Sequence, residues 1–359
     1  SDPTRINVTI DGIPLNDPES QGVWWVNMPD FTSSVEDIQI QRGVGTSTNG
    51  AGAFGASINL KTQSLRAKPY ATTSNTIGSY STLKNNVEFG TGLLANKYTL
   101  DGRLSRINSD GYIDRATSDL KSLYLSGAYF GTDNVLKLSV ISGKEKTYQA
   151  WNGVPLSYLN DDSLRTYNSY TYDNETDNYW QDHYMLHYNK QLVNSGMINL
   201  GLHFTHGEGY YEQYKNGQDF ADYGLNNVIV GNDTITETDL IRRKWLDNDF
   251  YGAIFSYNNS LNKLDYTLGG GWNTYDGRHY GVVRWAEYAS NSQIDHIYYD
   301  NDGIKTDFNI YAKGLYQFND DVTVYADLQH RQIDYAFLGK DENGAELNDC
   351  LLYTSPSPR

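Results

Sequence analysis

Beyond about Lys68, apolar side chains recur at every second position in run after run. Phe308, Ile310, Ala312, Gly314, Tyr316 and Phe318 share one face of such a run, with Asp307, Asn309, Tyr311, Lys313 and Gln317 on the other. Val322, Val324, Ala326 and Leu328 oppose Thr323, Tyr325, Asp327 and Gln329 in the next. Tyr98, Leu100, Gly102 and Leu104 stand against Lys97, Thr99, Asp101 and Arg103, and Ile198, Leu200, Leu202 and Phe204 against Asn199, Gly201, His203 and Thr205. A period of two marks β-strands with one greasy and one wet face. Each run supplies the about 9–11 residues that a tilted strand needs to cross a bilayer. The pattern predicts about eleven such strands.

The connections sort by length. Tight turns are predicted at 93–96, 131–134, 193–196, 259–262 and 319–321, and long polar segments at 110–119, 148–180, 210–245 and 276–303. Alternate connections of an up-and-down barrel emerge on the same rim, so short turns on one rim and long loops on the other fit a transmembrane barrel. Greek-key sandwiches have no reason to sort their loops in this way. The tight turn at 78–81 departs from the rule. Eleven strands left open would expose unpaired edges to hydrocarbon, so the barrel is expected to be unfinished within this sequence.

Residues 1–62 differ in texture. Strands are predicted at 6–12, 36–42 and 56–62, two helical turns at 30–38 with Asp30 or Thr32 as N-cap, and a glycine-rich stretch at 43–55. The expectation is a small mixed α/β unit, too short to be complete, ahead of a mostly β, partial antiparallel barrel.

Three pieces of this unit resemble the C-terminal half of the plug of TonB-dependent outer-membrane receptors. They are Val8-Thr-Ile-Asp-Gly-Ile-Pro-Leu15, Ile38-Gln-Ile-Gln-Arg-Gly43 and Gly50-Ala-Gly-Ala-Phe-Gly-Ala-Ser-Ile-Asn-Leu60. Trp-Val-Asn-Met-Pro-Asp at 25–30 is most similar to such receptors from Bacteroidetes. The resemblance implies residues 1–64 as the latter part of a plug and 65–349 as about half of a 22-stranded barrel. It further implies the outer membrane of a Gram-negative bacterium, contact with its lipid, and active uptake of a scarce extracellular small ligand. The ligand expected first is a ferric siderophore or similar iron complex; cobalamin, haem and oligosaccharide follow. The TonB–ExbB–ExbD complex would act through an N-terminal segment outside this sequence. No bound cofactor is implied.

By the same resemblance the apex loop, Asn16 to Val26, faces the ligand. Gln21, Trp24 and Trp25 are candidate contacts there, the alternative being that the tryptophans anchor the plug. Trp151, Tyr210 and Tyr211, from aromatic long segments, are further candidates, although some such aromatics must be girdle residues. Arg42, Gly43, Gly50, Gly52 and Gly55 are candidates for plug–barrel contact: glycines allow close backbone approach, and Arg42 either pairs with wall carboxylates or is solvated.

Composition narrows the alternatives. Among 359 residues there are 31 Tyr, 33 Gly and only 8 Pro, which suits strands, girdles and sticky loops. Mean hydropathy is −0.62, and no run approaches the about 20 apolar residues of a helical span. The net charge of −16 argues against nucleic acid; acidic loops serve solubility or attract cations and metal complexes. The glycine-rich stretch lacks the Lys-Ser/Thr ending of a phosphate loop. Acidic runs at 160–162 and 300–303 lack a full calcium-loop spacing. His183 and His187 share a strand face about 13 Å apart, so no metal site is expected, and no catalytic constellation stands out. Two other classes stay open: a passive porin or adhesin barrel without a plug, and a soluble carbohydrate-binding β-protein with packed sheets.

The lone cysteine opens the run Cys350-Leu-Leu-Tyr-Thr-Ser-Pro-Ser-Pro-Arg359, which reads like a translated sequencing adapter. Residues 350–359 are expected not to be native. Ser1-Asp-Pro-Thr-Arg5 carries no signal segment, so both ends are expected to be cut.

Overall fold

The computed structural model describes residues 3–49, 53–62 and 66–358. The first unit is a four-stranded mixed sheet of β1 (Ile6–Ile10), β2 (Ile13–Pro14), β3 (Val35–Arg42) and β4 (Ala56–Thr62). Its order is β2-β1-β4-β3, with β1 and β4 parallel and the other pairs antiparallel. The predicted helical turns at 30–38 shrink to a 3-10 turn, Phe31–Ser34, before β3 begins. Asp30 does not cap it. Held at φ +54°, it turns its carboxylate to the barrel wall instead.

Then follow β5 (Tyr70–Gly78), β6 (Thr82–Gly90), β7 (Tyr98–Ser109), β8 (Ser118–Phe130), β9 (Asn134–Tyr148), β10 (Thr176–Gln191) and β11 (Met197–Asp219). After a small outlying hairpin, β12 (Val228–Val230) and β13 (Asp233–Ile235), come β14 (Glu237–Leu261), β15 (Leu264–Ala286), β16 (His296–Gln317), β17 (Thr323–Lys340) and β18 (Glu346–Pro358). Leaving the outlying hairpin aside, β5 to β18 form one sheet of twelve strands in chain order, each antiparallel to the next. Eleven match the expected count. The twelfth, β18, contains the tail expected not to be native, paired from Lys340↔Glu346 to Leu328↔Pro358. Its prolines are tolerable because it lies at the sheet edge.

The faces are inverted relative to a soluble protein. Leu202 and Leu200 are 53% and 44% exposed, and Phe308 and Ile310 point outward with them. Their inward neighbours His203, Thr205, Ser139, Ser122 and Arg103 are buried. Apolar outside and polar inside suits a sheet between lipid and a wet lumen, and it excludes the two-sheet sandwich. No helix among the described residues is long and apolar enough to cross a membrane.

Four strands run far beyond the bilayer: β11, β14, β15 and β16 have 23, 25, 23 and 22 residues. The segments expected as loops at 210–245 and 276–303 are therefore largely strand, with only 220–236 and 287–295 between paired elements. Outward charges mark where lipid ends. His206 pairs with Asp249 at 2.8 Å and Arg278 with Asp300 at 2.7 Å on the outer face. Just below them lie outward aromatics, Tyr251 against Trp272 at 5.9 Å and Tyr184 against Phe204 at 6.2 Å. Near the tight turns stand Tyr98 with Tyr129 and Tyr257 with Tyr266. These are two interfacial girdles.

Inside, the small sheet packs against the wall. Val8, Ile10, Ile13, Phe31 and Leu60 form one buried cluster with Tyr124, Ile141 and Met185 of β8, β9 and β10. Gly143 of β9 lets the two units approach closely: a Cβ there would stand 2.0 Å from the carbonyl oxygen of Asn27. Gly143→Val is expected to cost about 1–3 kcal/mol by overpacking. Gly127→Val on the outer face of β8, where the nearest atom is 3.9 Å away, should cost little. Denaturant melts of both variants check this; equal losses would refute it.

Candidate functional site

The loop from Asn16 to Val26 is built from short polar side chains that satisfy its own backbone. Asn16 accepts from Val8 N at 2.7 Å and donates to the carbonyls of Ile6 and Gln21 at 2.8 Å each. Asp17 accepts from the backbone of Ser20 at 2.7 Å. The loop tip is then fastened to the wall. Glu19 accepts from the hydroxyls of Tyr275 and Tyr335 at 2.9 Å each and lies 3.1 Å from His279 Nε2. Lys305 donates to the carbonyl of Pro18 at 2.5 Å. Burial raises the Glu19 carboxyl, but His279 and the two phenols outweigh it and hold it below the ordinary range.

Above this apex, on the long-loop side, opens a cavity of about 1260 Å³. It is lined by the apex, including the 60% exposed Trp24, and by strands β9 to β11 and β14 to β18. Trp151 and Tyr211 line it together, their rings 5.2 Å apart and edge to face. On one wall Tyr179 stands opposite Glu145 in the β9–β10 register, and Asp177 lies two residues along the same face. These lie above the outer girdle. Burial, and then the neighbouring Asp177, push the Glu145 carboxyl up to about 8; burial lifts Asp177 to about 6.

No protein-family model matches the sequence, and no curated relative does. Solved structures do match. The ferric yersiniabactin uptake receptor FyuA from Yersinia pestis superimposes with a TM-score of 0.68 at 12% identity, covering 99% of this chain and 52% of that one. The open form of the ferric-catecholate import receptor Fiu from E. coli K12 gives 0.69 at 15% identity, covering 100% and 59%. The ferripyoverdine receptor of the outer membrane of Pseudomonas aeruginosa gives 0.67 at 13%, covering 98% and 47%. The fold is that of the TonB-dependent outer-membrane receptors. The chain spans about half the length of those structures. The four-stranded sheet is termed the plug after the resemblance of its sequence. These neighbours are transport receptors, not enzymes.

Within this receptor fold the candidate residues separate. Trp24, Trp151 and Tyr211 meet in one cavity. Tyr210 borders it too, yet its ring turns to the outer face, 4.5 Å from Trp245 and beneath Arg243 at 4.2 Å. Successive strand residues must face opposite ways, so Tyr210 and Tyr211 cannot act together. Gln21, at φ +60°, lines a second cavity of about 430 Å³ between plug and wall. Trp25 is half-exposed and lines neither cavity.

The expected plug–barrel contacts fare differently. Arg42 is exposed and has no ion pair among the described residues. Gly43, at φ +86°, donates to the carbonyl of Gly55 at 2.9 Å, and Gly55 donates to that of Arg5 at 2.8 Å. These two fold the plug onto itself and not onto the wall. Gly50 and Gly52 lie outside the described residues.

Contact with the wall comes from carboxylates that sequence reasoning passed over. Asp11 accepts from Thr62 N at 2.9 Å and Lys137 Nζ at 3.1 Å, and Ser47 donates its backbone N–H to Asp327 at 3.0 Å. Asp30 meets Lys84, accepts from Asn86 at 2.8 Å and Ser105 at 2.6 Å, and lies 3.2 Å from Arg103. Burial raises Asp30, but hydrogen bonds from Lys84, Ser105, Ser33 and Asn86 hold it at about 2. Burial likewise raises Asp11, and Lys137 with Thr62 brings it below normal.

Groups lowered on docking stabilise the docked plug while ionised. That contribution is complete above the free carboxyl value of about 4 and disappears as pH falls through the docked values. Plug docking should thus be steady from neutral pH down to about 5 and loosen towards about 2. Protease sensitivity of the plug across pH measures this; loosening as pH rises above 7 would contradict it.

Proposed function

We propose that the protein containing this chain is an active-uptake receptor in the outer membrane of a Gram-negative bacterium, of Bacteroidetes affinity by the texture of residues 25–30. Its ligand is a ferric siderophore or similar iron complex, and the TonB–ExbB–ExbD complex supplies the work that moves the plug. One observation carries this reading: a stopper is bonded into the wet lumen by Asp11, Glu19, Asp30 and Ser47 beneath a large aromatic chamber. A passive porin has no use for such a stopper, and an adhesin has no use for a chamber above it. The names of the neighbours, which take ferric yersiniabactin, ferric catecholates and ferripyoverdine, support the choice of iron complexes over cobalamin, haem or oligosaccharide.

The test is radioiron uptake by iron-starved cells producing the full receptor. Accumulation should saturate with ferric complex and stop when the proton-motive force is collapsed. Entry that is linear in concentration and indifferent to the proton-motive force would establish the porin class instead. Saturable uptake of cobalamin, haem or oligosaccharide, with none of iron, would move the ligand class.

A further inference from the structure

Six carboxylates line the chamber, those of Asp17, Glu19, Glu145, Asp177, Asp341 and Glu342, against a single lysine, Lys244. Lys244 is already engaged by Glu342, and His279 by Glu19. Asp17 and Asp341 accept backbone N–H groups of their own turns. Glu145, bonded to the Thr147 side chain, and Asp177, bonded to the Asn178 backbone, are buried more deeply and left without a cation. Glu145 is only 3% exposed, and neither carboxylate has an ion-pair partner among the described residues.

Buried without a counter-charge, Glu145 holds a proton at neutral pH, and an arriving cation would displace that proton and pair with the carboxylate left behind. The surroundings say what. Tyr179 lies across the β9–β10 register from Glu145, Tyr211 lies across the β10–β11 register from Asp177, and Trp151 stands edge-on to Tyr211. Aromatic faces beside carboxylates attract organic cations by quadrupole and charge together. A second polar group is unfinished on the same wall. His183 is more than nine-tenths buried, lines the chamber, and keeps its Nε2 without a hydrogen-bond partner.

We propose that the ligand carries an ammonium group, which seats against Glu145 and Asp177 beside Tyr179, Tyr211 and Trp151. The inference rests on the uptake reading and narrows it: iron complexes with a free amine are preferred, and trianionic ferric tris-catecholates are disfavoured by the uncompensated acidic wall. His183 Nε2 offers one further hydrogen bond to the polar body of such a ligand.

The test uses the full receptor purified in detergent, with binding read by quenching of tryptophan fluorescence. Three probes are compared: a linear ferric trihydroxamate ending in a free amine, its N-acetylated neutral twin, and a ferric tris-catecholate. The amine-bearing complex is expected to bind about tenfold tighter than its twin. The double variant Glu145→Gln/Asp177→Asn should remove that ratio, its affinity for the cationic probe falling about tenfold more than for the twin. Heat-modifiable gel mobility confirms that the barrel is folded. Equal binding of the twins, or tightest binding of the trianion, overturns this inference and leaves uptake of iron complexes standing. Binding of none of the three overturns both.

Discussion

Replacing Asp30 by alanine is expected to cost about 3–5 kcal/mol of plug docking, the largest loss from any single side chain in the plug. Its carboxylate joins Lys84, Asn86, Arg103 and Ser105, residues of two neighbouring strands, to Ser33 of the plug. Arg103 is only 1% exposed, and its remaining bonds go to Ser34 at 2.6 Å and Ser122 at 3.1 Å. Without Asp30 a buried guanidinium loses its nearest counter-charge, and that penalty makes up most of the loss. The same reasoning predicts partial rescue: Asp30→Ala with Arg103→Met removes the stranded charge, and the two losses should not add. Amide hydrogen exchange in β1 and β4 is the measurement, since local opening is read there residue by residue. Exchange should quicken at least a hundredfold, about 2.7 kcal/mol or more, in the single variant. Unchanged protection would show that the plug is held by its apolar cluster alone.

The contrast between Asp30 and Leu202 explains what was legible in the sequence. Leu202 belongs to a repeating pattern whose period equals the strand repeat, so its direction follows from its neighbours' identities. The inward and outward faces of β7, β11, β16 and β17 could all be read in that way. Above the membrane both faces are wet, alternation disappears, and the outer halves of β11 and β14 looked like loop although Tyr211↔Lys244 and Glu212↔Arg243 continue the ladder. Site residues were legible only where chemistry is conspicuous. Trp24, Trp151 and Tyr211 stood out as aromatics and do meet, but Tyr210 was grouped with Tyr211 because adjacency in sequence hides opposition across a strand. Asp30 carried no local signal at all. Its wall partners are 54 to 75 residues away, and in isolation it looks like an ordinary helix cap. Glu145 and Asp177 were invisible for the same reason: each is one acid among many until the β9–β10 register puts them on one wall.

Leu202→Arg is expected to destabilise insertion of the barrel by about 2–4 kcal/mol, because it places a charge on the lipid face between the two aromatic girdles. Glu208→Arg makes the informative partner. It lies on the same strand and the same outward face, about 20 Å further along, level with the ion pairs that mark water. Its cost should be within about 0.5 kcal/mol. Urea titration of the receptor folded into lipid vesicles compares the two directly. A large penalty at both positions would raise the membrane boundary above His206 and Asp249, leaving that pair in hydrocarbon. No penalty at either would mean that the outward apolar face does not meet lipid, and a barrel without lipid outside has no reason to keep Ser139, Ser122, His203 and Arg103 within. The expected difference between two residues six positions apart therefore tests where the bilayer ends and which way the whole sheet faces.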